Sequence, residues 1–254
     1  IYFILKYTSL LIFFLFLSMS CAKQLSKPFD VSTMVRPYSE CIGDAAKAQI
    51  WEISNELTII SRDNDQLIWK EINGVDYLLV SSWKTDTTYY VNDSETGFYN
   101  TQSYPIWVTV APELQAVCQN NKFGRREGVD LRLKQLLGLP PNVEKNYFVE
   151  FWVQPKDLFR PCPDNEITDS SCQIGFPLGT EEDHINWINN LRLSSYYQVN
   201  WDQNYPWTQL GYTYDWNPRN KTHIGMSEFV IGPDANIIVH QVHTTAAYCR
   251  IEEW

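Results

Sequence analysis

Residues 66–83 read Gln66-Leu67-Ile68-Trp69-Lys70-Glu71-Ile72, then Asn73-Gly74, then Val75-Asp76-Tyr77-Leu78-Leu79-Val80-Ser81-Ser82-Trp83. Two apolar, β-prone runs flank an Asn-Gly pair. Asn and Gly both tolerate the positive φ that a two-residue hairpin turn demands, so this is a strong local signal for an antiparallel hairpin. Three more strands are expected further along: Tyr104–Val110, the near-continuously apolar Tyr147–Val153, and the aromatic run Tyr205–Trp216. The unbroken apolar character of Tyr147–Val153 predicts burial on both faces. His223–Ile231 and Asn236–Thr244, joined at Gly232-Pro233, complete the set.

Helical spacing appears between these runs. Asp44–Leu57 places Ala48 and Trp51 on one face. Pro112 opens a short helix to Cys118, because Pro is favoured in a first turn. Gly128–Leu137 is a helix stopped by Gly138 and Pro140-Pro141. Thr180 and Asp183 match a capping box that starts a helix running to about Ser194. Strands and helices mix without regular βαβ alternation and without a fixed repeat. The expected fold is therefore α+β, a single domain with a mainly antiparallel sheet and three to four helices.

The chain has 254 residues, of which 44% are hydrophobic and 20% charged, enough to bury a large core. Its formal net charge is −10. Binding a phosphate backbone needs a cationic face, and Arg125-Arg126 is the only basic cluster, so nucleic acid is not an expected partner.

Residues 1–22 read IYFILKYTSLLIFFLFLSMSCA. Lys6 precedes an unbroken apolar run, Leu10–Leu17, followed by small residues, which is the order of a secretory signal. The run is shorter than the ~20 residues of a spanning helix. The expected organisation is a signal segment over 1–22, a tether over 23–40 and a globular domain over 41–254. Ser20-Cys21 at the end of this segment resembles a bacterial lipoprotein lipobox, although Leu17 stands one place too early. The resemblance implies lipidation at Cys21, membrane-surface anchoring and a periplasmic or secreted location; cleavage after Ser20 or Ala22 is the alternative. The sequence opens on Ile1 rather than Met, as expected of a chain missing its start.

Export implies an oxidising compartment in which disulfides persist. There are six cysteines: Cys21, Cys41, Cys118, Cys162, Cys172 and Cys249. Cys162 and Cys172 flank a short loop rich in Pro, Asp and Ser and are expected to pair. No two cysteines have CxxC spacing, which argues against thioredoxin chemistry and structural zinc.

The motifs for chemistry are sparse. No GxSxG elbow, P-loop or GxGxxG occurs, and no cofactor is expected. His240 and His243 read as strand residues pointing to opposite faces, and no metal is expected there. The acidic loop Asp164–Asp169 has oxygen ligands at the density of a Ca²⁺ site but lacks the EF-hand glycine, and reads as a solvated turn. Asn92-Asp93-Ser94 and Asn220-Lys221-Thr222 are glycosylation sequons that matter only on a eukaryotic secretory route. Glu150, Asp157, Asp202, Asp215 and Glu228 lie near Trp or Phe, as a glycan hydrolase with two carboxylates requires. The stretch His223-Ile224-Gly225-Met226-Ser227-Glu228-Phe229-Val230-Ile231, then Gly232-Pro233-Asp234, resembles the end of ADP-ribosyltransferase catalytic domains. The resemblance implies that Glu228 binds a nicotinamide ribose, with His223 as a second candidate. The earlier acid of that family's pair is replaced by Met226.

Aromatic residues make up 15% of the chain. Trp and Tyr join a large apolar face to a polar tip. Their density over 201–216, without an intact catalytic motif, favours a ligand- or partner-binding domain. Trp201, Trp207, Tyr212, Tyr214 and Trp216 are the residues expected to line its aromatic surface. The alternative is a secreted transferase or glycan hydrolase.

Overall fold

The hairpin forms where the Asn-Gly pair lies. In the computed structural model, which describes residue 30 and residues 32–250, β1 (Trp69–Ile72) and β2 (Val75–Lys84) pair from Ile72↔Val75 outward. Asn73 and Gly74 both have positive φ, 53° and 78°, as a tight hairpin turn requires. The expected signal segment and its Cys21 lie outside the described residues. The described residues from Thr33 onward fall in one compact unit.

The sheet is antiparallel at every pairing and has the order β3-β10-β5-β2-β4-β9-β6, with β1 beside β2. Its strands are β3 (Tyr99–Asn100), β4 (Ile106–Val110), β5 (Tyr147–Val153), β6 (Leu158–Phe159), β9 (Phe229–Ile231) and β10 (Asn236–Thr244). A separate pair joins β7 (Tyr212–Tyr214) to β8 (Ile224–Ser227). Among the described residues five helices accompany them: α1 (Ser32–Ala45), α2 (Ala111–Cys118), α3 (Val129–Leu136), α4 (Glu182–Tyr196) and α5 (Thr245–Tyr248). The α+β class is as expected, with one helix more than the upper estimate. No helix among the described residues is long and apolar enough to cross a membrane.

Strand alternation sorts the core. Val80, Val149, Phe151, Val153, Val108, Phe229 and Ile237 form the main cluster on one face of the curled sheet. On the other face, Trp83 and Phe148 meet Leu114 of α2, Leu133 and Leu136 of α3, and Tyr248 of α5. Both faces of β5 are therefore covered, which is why its sequence does not alternate. Disulfides join Cys118 to Cys249 and Cys162 to Cys172, while Cys41 is a free thiol.

Several expectations need correction. The helix expected over Asp44–Leu57 shrinks to one turn, Ile50–Glu52, and Trp51 is 81% exposed. The amides of Leu57 and Ile60 instead bond to the carbonyls of Ser170 and Ile167, so tertiary pairing with the disulfide loop outweighs a weak helical pattern. The helix lies upstream as α1, where the tether was expected. Tyr38, Ile42 and Ala45 give α1 a buried i, i+4, i+7 stripe, disguised by Pro37. The Thr180 capping box does not form. The Thr180 hydroxyl donates to the Pro177 carbonyl and α4 starts at Glu182. Tyr205–Trp216 contributes only β7 and an isolated bridge between Trp207 and Thr213. His223–Ile231 breaks at Glu228, so β8 pairs with β7 while β9 pairs with β4 and β6. The β-bulge between Val239 and Gln241 interrupts alternation in β10. As a result His240 lies against Trp152 and His243 against Glu150, on one face of β5 rather than on opposite sides of the sheet.

Candidate functional site

The C-terminal aromatics do not form a surface. Trp207, Tyr212, Tyr214 and Trp216 are all buried, and only Trp201 is half-exposed. Their polar tips are bound to carbonyls and carboxylates. The Trp207 indole N–H donates to the Pro161 carbonyl at 3.0 Å, and that of Trp216 to the Lys134 and Leu139 carbonyls at 3.1 and 3.0 Å. The Tyr212 hydroxyl donates to the Glu52 carbonyl at 2.8 Å, and that of Tyr214 to the Asp44 carboxylate at 2.7 Å. An aromatic side chain that is buried and satisfied in this way packs and orients the fold. The aromatics that share a half-exposed face are others: Trp107, Phe159, His184 and Trp187, in a chain of ring contacts 4.9–6.2 Å apart. Sequence reading missed this group because its members come from three separate elements.

A cavity of about 660 Å³ opens beside Trp107. It lies between the sheet edge where β2 and β4 part, the end of α3, the last turns of α4 and the segment 202–214. β2 and β4 pair only at Val80↔Val110 and Ser81↔Thr109. Beyond those pairs the strands diverge, linked by the Ser82 hydroxyl donating to the Trp107 carbonyl at 2.7 Å. The walls mix aromatic and aliphatic side chains, Trp83, Trp107, Leu137, Leu139, Tyr205 and Trp207 among them, with polar ones. This volume and lining fit a small-molecule site.

Polar groups converge on the floor. Ser81 of β2 stands opposite Thr109 of β4 on one side and Glu150 of β5 on the other. Phe229 pairs with Val108, which brings Glu228 to the level of Thr109. A polar row therefore crosses the sheet from Glu228 through Thr109 and Ser81 to Glu150. Ser81, Thr109 and Glu228 line the cavity. The Tyr248 hydroxyl donates to Ser81 Oγ at 3.2 Å or to the Ala111 carbonyl at 2.9 Å. His243 Nε2 lies 3.3 Å from Glu150 Oε2.

Two members of this row lack partners. Thr109 Oγ1 is buried without a hydrogen bond. The Glu228 carboxyl has none among the described residues; only its backbone is fixed, by the N–H donating to the Gly211 carbonyl at 3.0 Å. Glu228 keeps some accessible surface, but that surface faces the cavity and protein surrounds it on all sides. Burial accordingly pushes its pKa up to about 8, so the carboxyl is mostly protonated at neutral pH. At the rim, Lys84 and Lys145 also line the cavity. Burial lowers the pKa of Lys84 to about 8, with repulsion from Lys145 adding to it, and burial lowers that of Lys145. Neither ammonium is ion-paired to a carboxylate of the described residues. The carboxylate on the same wall, Asp202, accepts a hydrogen bond from Asn142 at 3.2 Å.

The catalytic candidates separate. His223 and Glu228 stand at opposite ends of β8. The His223 ring stacks on Tyr214 at 4.7 Å and its Nδ1 lies 3.0 Å from the Asp215 carbonyl. Asp215 is held by a bidentate Arg132 at 2.7 and 2.9 Å and by Asn220, which is a structural role. Glu150 and Glu228 are three strands apart, roughly 14 Å between Cα atoms at ~4.8 Å per step. Glycosidase carboxyl groups lie about 5 to 9.5 Å apart. The acidic loop Asp164–Asp169 wraps around Arg160, whose guanidinium donates to the carbonyls of Thr58, Glu166, Ile167 and Asp169. No three His, Cys, Asp or Glu side chains gather as a metal site among the described residues.

Comparison of the chain with family models, curated proteins and solved structures finds no match to any of them.

Proposed function

We propose that this chain is an exported binding domain that takes a small organic ligand in the cavity between α4 and the β2–β4–β9 edge. The observation that carries the reading is the pair of unpartnered polar groups, Glu228 and Thr109, on a cavity of about 660 Å³ whose lining mixes aromatic and aliphatic side chains with polar ones. Leaving a buried polar group unpaired costs about 1–3 kcal/mol, a penalty that a hydrogen-bonding ligand removes. In this reading Trp207 and Tyr214 belong to the site as cavity walls, while Tyr212 and Trp216 hold the scaffold behind them. The two disulfides support an extracytoplasmic setting. Anchoring through a lipidated Cys21 rests on the N-terminal sequence. A transferase or glycan-hydrolase reading has less support, because His223 and Glu150, the candidate second groups among the described residues, stand away from Glu228.

The test uses N-phenylnaphthylamine, an uncharged probe that brightens in apolar sites. Wild type is expected to bind it saturably at one site. Ser195→Trp, which fills the cavity from α4, is expected to lose that binding, and Trp51→Ala, on the exposed turn, to keep it. Equal binding by wild type and Ser195→Trp would remove the cavity from the account. Should Ser195→Trp not fold, Ser194→Trp on the same helix fills the same space.

A further inference from the structure

Lys84 ends β2, and Lys145 lies in the segment that leads into β5. The pairing of Lys84 with Tyr147 and the hydrogen bond from the Asn146 N–H to the Lys84 carbonyl, 2.9 Å, bring the two lysines together. Both contribute to the cavity wall. Two ammoniums side by side in a partly desolvated place repel each other, and such pairs are normally relieved by a carboxylate. No carboxylate of the described residues is ion-paired to either lysine. The Lys84 ammonium lies 5.5 Å from the centre of the Tyr90 ring, a cation–π contact that offsets only part of the cost. Nearby, the Thr85 hydroxyl turns to the Glu144 carbonyl, and Asp202 is engaged by Asn142.

The cavity is polarised as a result. Lys84 and Lys145 are among the residues at one end of it, with the Lys84 ammonium over the Tyr90 ring and Asp202 also in the lining. Its middle is walled by Trp83, Trp107 and Leu139. Glu228 lies two strands across and three residues along from Lys84, roughly 14 Å away by strand geometry.

Building on the proposed binding role, we infer that the cavity takes an amphiphilic organic anion, with its charged group between Lys84 and Lys145 and its apolar body against the Trp83–Trp107 wall. The anion supplies the counter-charge the lysines lack. A hydroxyl, carbonyl or amide further along the ligand reaches Glu228 and Thr109. A neutral Glu228 carboxyl both donates and accepts a hydrogen bond and adds no repulsion toward an anion.

A matched pair of probes reads the charge. Anilinonaphthalene sulfonate carries the ring system of N-phenylnaphthylamine plus one sulfonate. Wild type is expected to bind the sulfonate at least about tenfold more tightly than the uncharged probe at low salt, with the advantage shrinking as salt is added. Lys84→Met with Lys145→Met is expected to abolish the advantage, so that the variant binds the two probes with equal affinity. Equal affinity of wild type for the two probes, or an advantage that survives the double substitution, overturns the inference and leaves the binding role standing. Failure of both probes to bind wild type overturns the binding role as well. Lys84→Gln with Lys145→Gln, which keeps polarity and removes charge, serves if the methionine variant does not fold.

Discussion

Arg160 and Glu228 are both ionisable side chains enclosed by this fold, and they are treated in opposite ways. Arg160 has no exposed surface; its Nε and Nη2 donate to four backbone carbonyls, while its Nη1 is left without a partner. The acids of the disulfide loop, Asp169 foremost, counter the downward pull of burial on its pKa. Glu228 has no side-chain partner and faces a cavity. The contrast teaches how to read the molecule. An enclosed ionisable group held by several backbone carbonyls belongs to the scaffold, and one whose carboxyl makes no bond and borders a cavity marks a place for something else. The tips of Tyr212, Tyr214, Trp207 and Trp216 are all bound, so by the same rule they hold the scaffold, and Trp207 and Tyr214 serve the cavity as walls rather than as open polar groups.

The comparison can be broken first at its structural end. Arg160→Met removes the donor from four carbonyls and the cation from the Cys162–Cys172 loop. It is expected to lower unfolding free energy by roughly 3–5 kcal/mol in urea titrations. A loss below about 1 kcal/mol would mean that the loop does not depend on Arg160.

At the other end, pH sharpens the contrast. The folded-state pKa of Glu228 is about 8, above its ordinary 4.5. The folded protein therefore holds a proton that the unfolded chain has lost between those values. Stability is expected to fall as pH rises from about 4.5 to 8, by a few kcal/mol at most, and less to the extent that cavity water solvates the carboxylate. Glu228→Gln is expected to remove that slope and to be neutral or stabilising near pH 7. A variant as pH-sensitive as wild type would assign the slope to other groups.

The smallest expected effect tests the satisfied aromatics. Tyr212→Phe deletes one hydroxyl and leaves the Glu52 carbonyl to water or nothing. It is expected to cost about 1 kcal/mol in stability and not to alter affinity for N-phenylnaphthylamine. A large change in affinity would place Tyr212 in the site after all.

Much of the scaffold was legible in the sequence because local rules agreed. Asn73-Gly74 dictated the hairpin, the apolar run at 147–153 dictated a covered strand, and Pro112 opened α2. Helix α1 was hidden by Pro37, and the expected helix at 44–57 lost to hydrogen bonds with a loop more than 100 residues away. The site was less legible for a related reason. Glu228 was visible as a carboxylate within the expected strand His223–Ile231, but Thr109, Ser81, Lys84 and Lys145 are unremarkable in sequence. They converge only through strand register, and the splay of β2 from β4 that opens the cavity has no local signature. The aromatic density of 201–216 was real, yet composition does not reveal whether an indole faces solvent or a carbonyl.

The most direct test is a carbon-detected NMR titration of the glutamate carboxyls, on the protein alone and saturated with N-phenylnaphthylamine. The account predicts one carboxyl titrating near 8, absent in Glu228→Gln and shifted by the probe. If no carboxyl titrates near 8, or if the Glu228 signal ignores a bound probe, Glu228 is not the open polar group of a ligand site and the account fails.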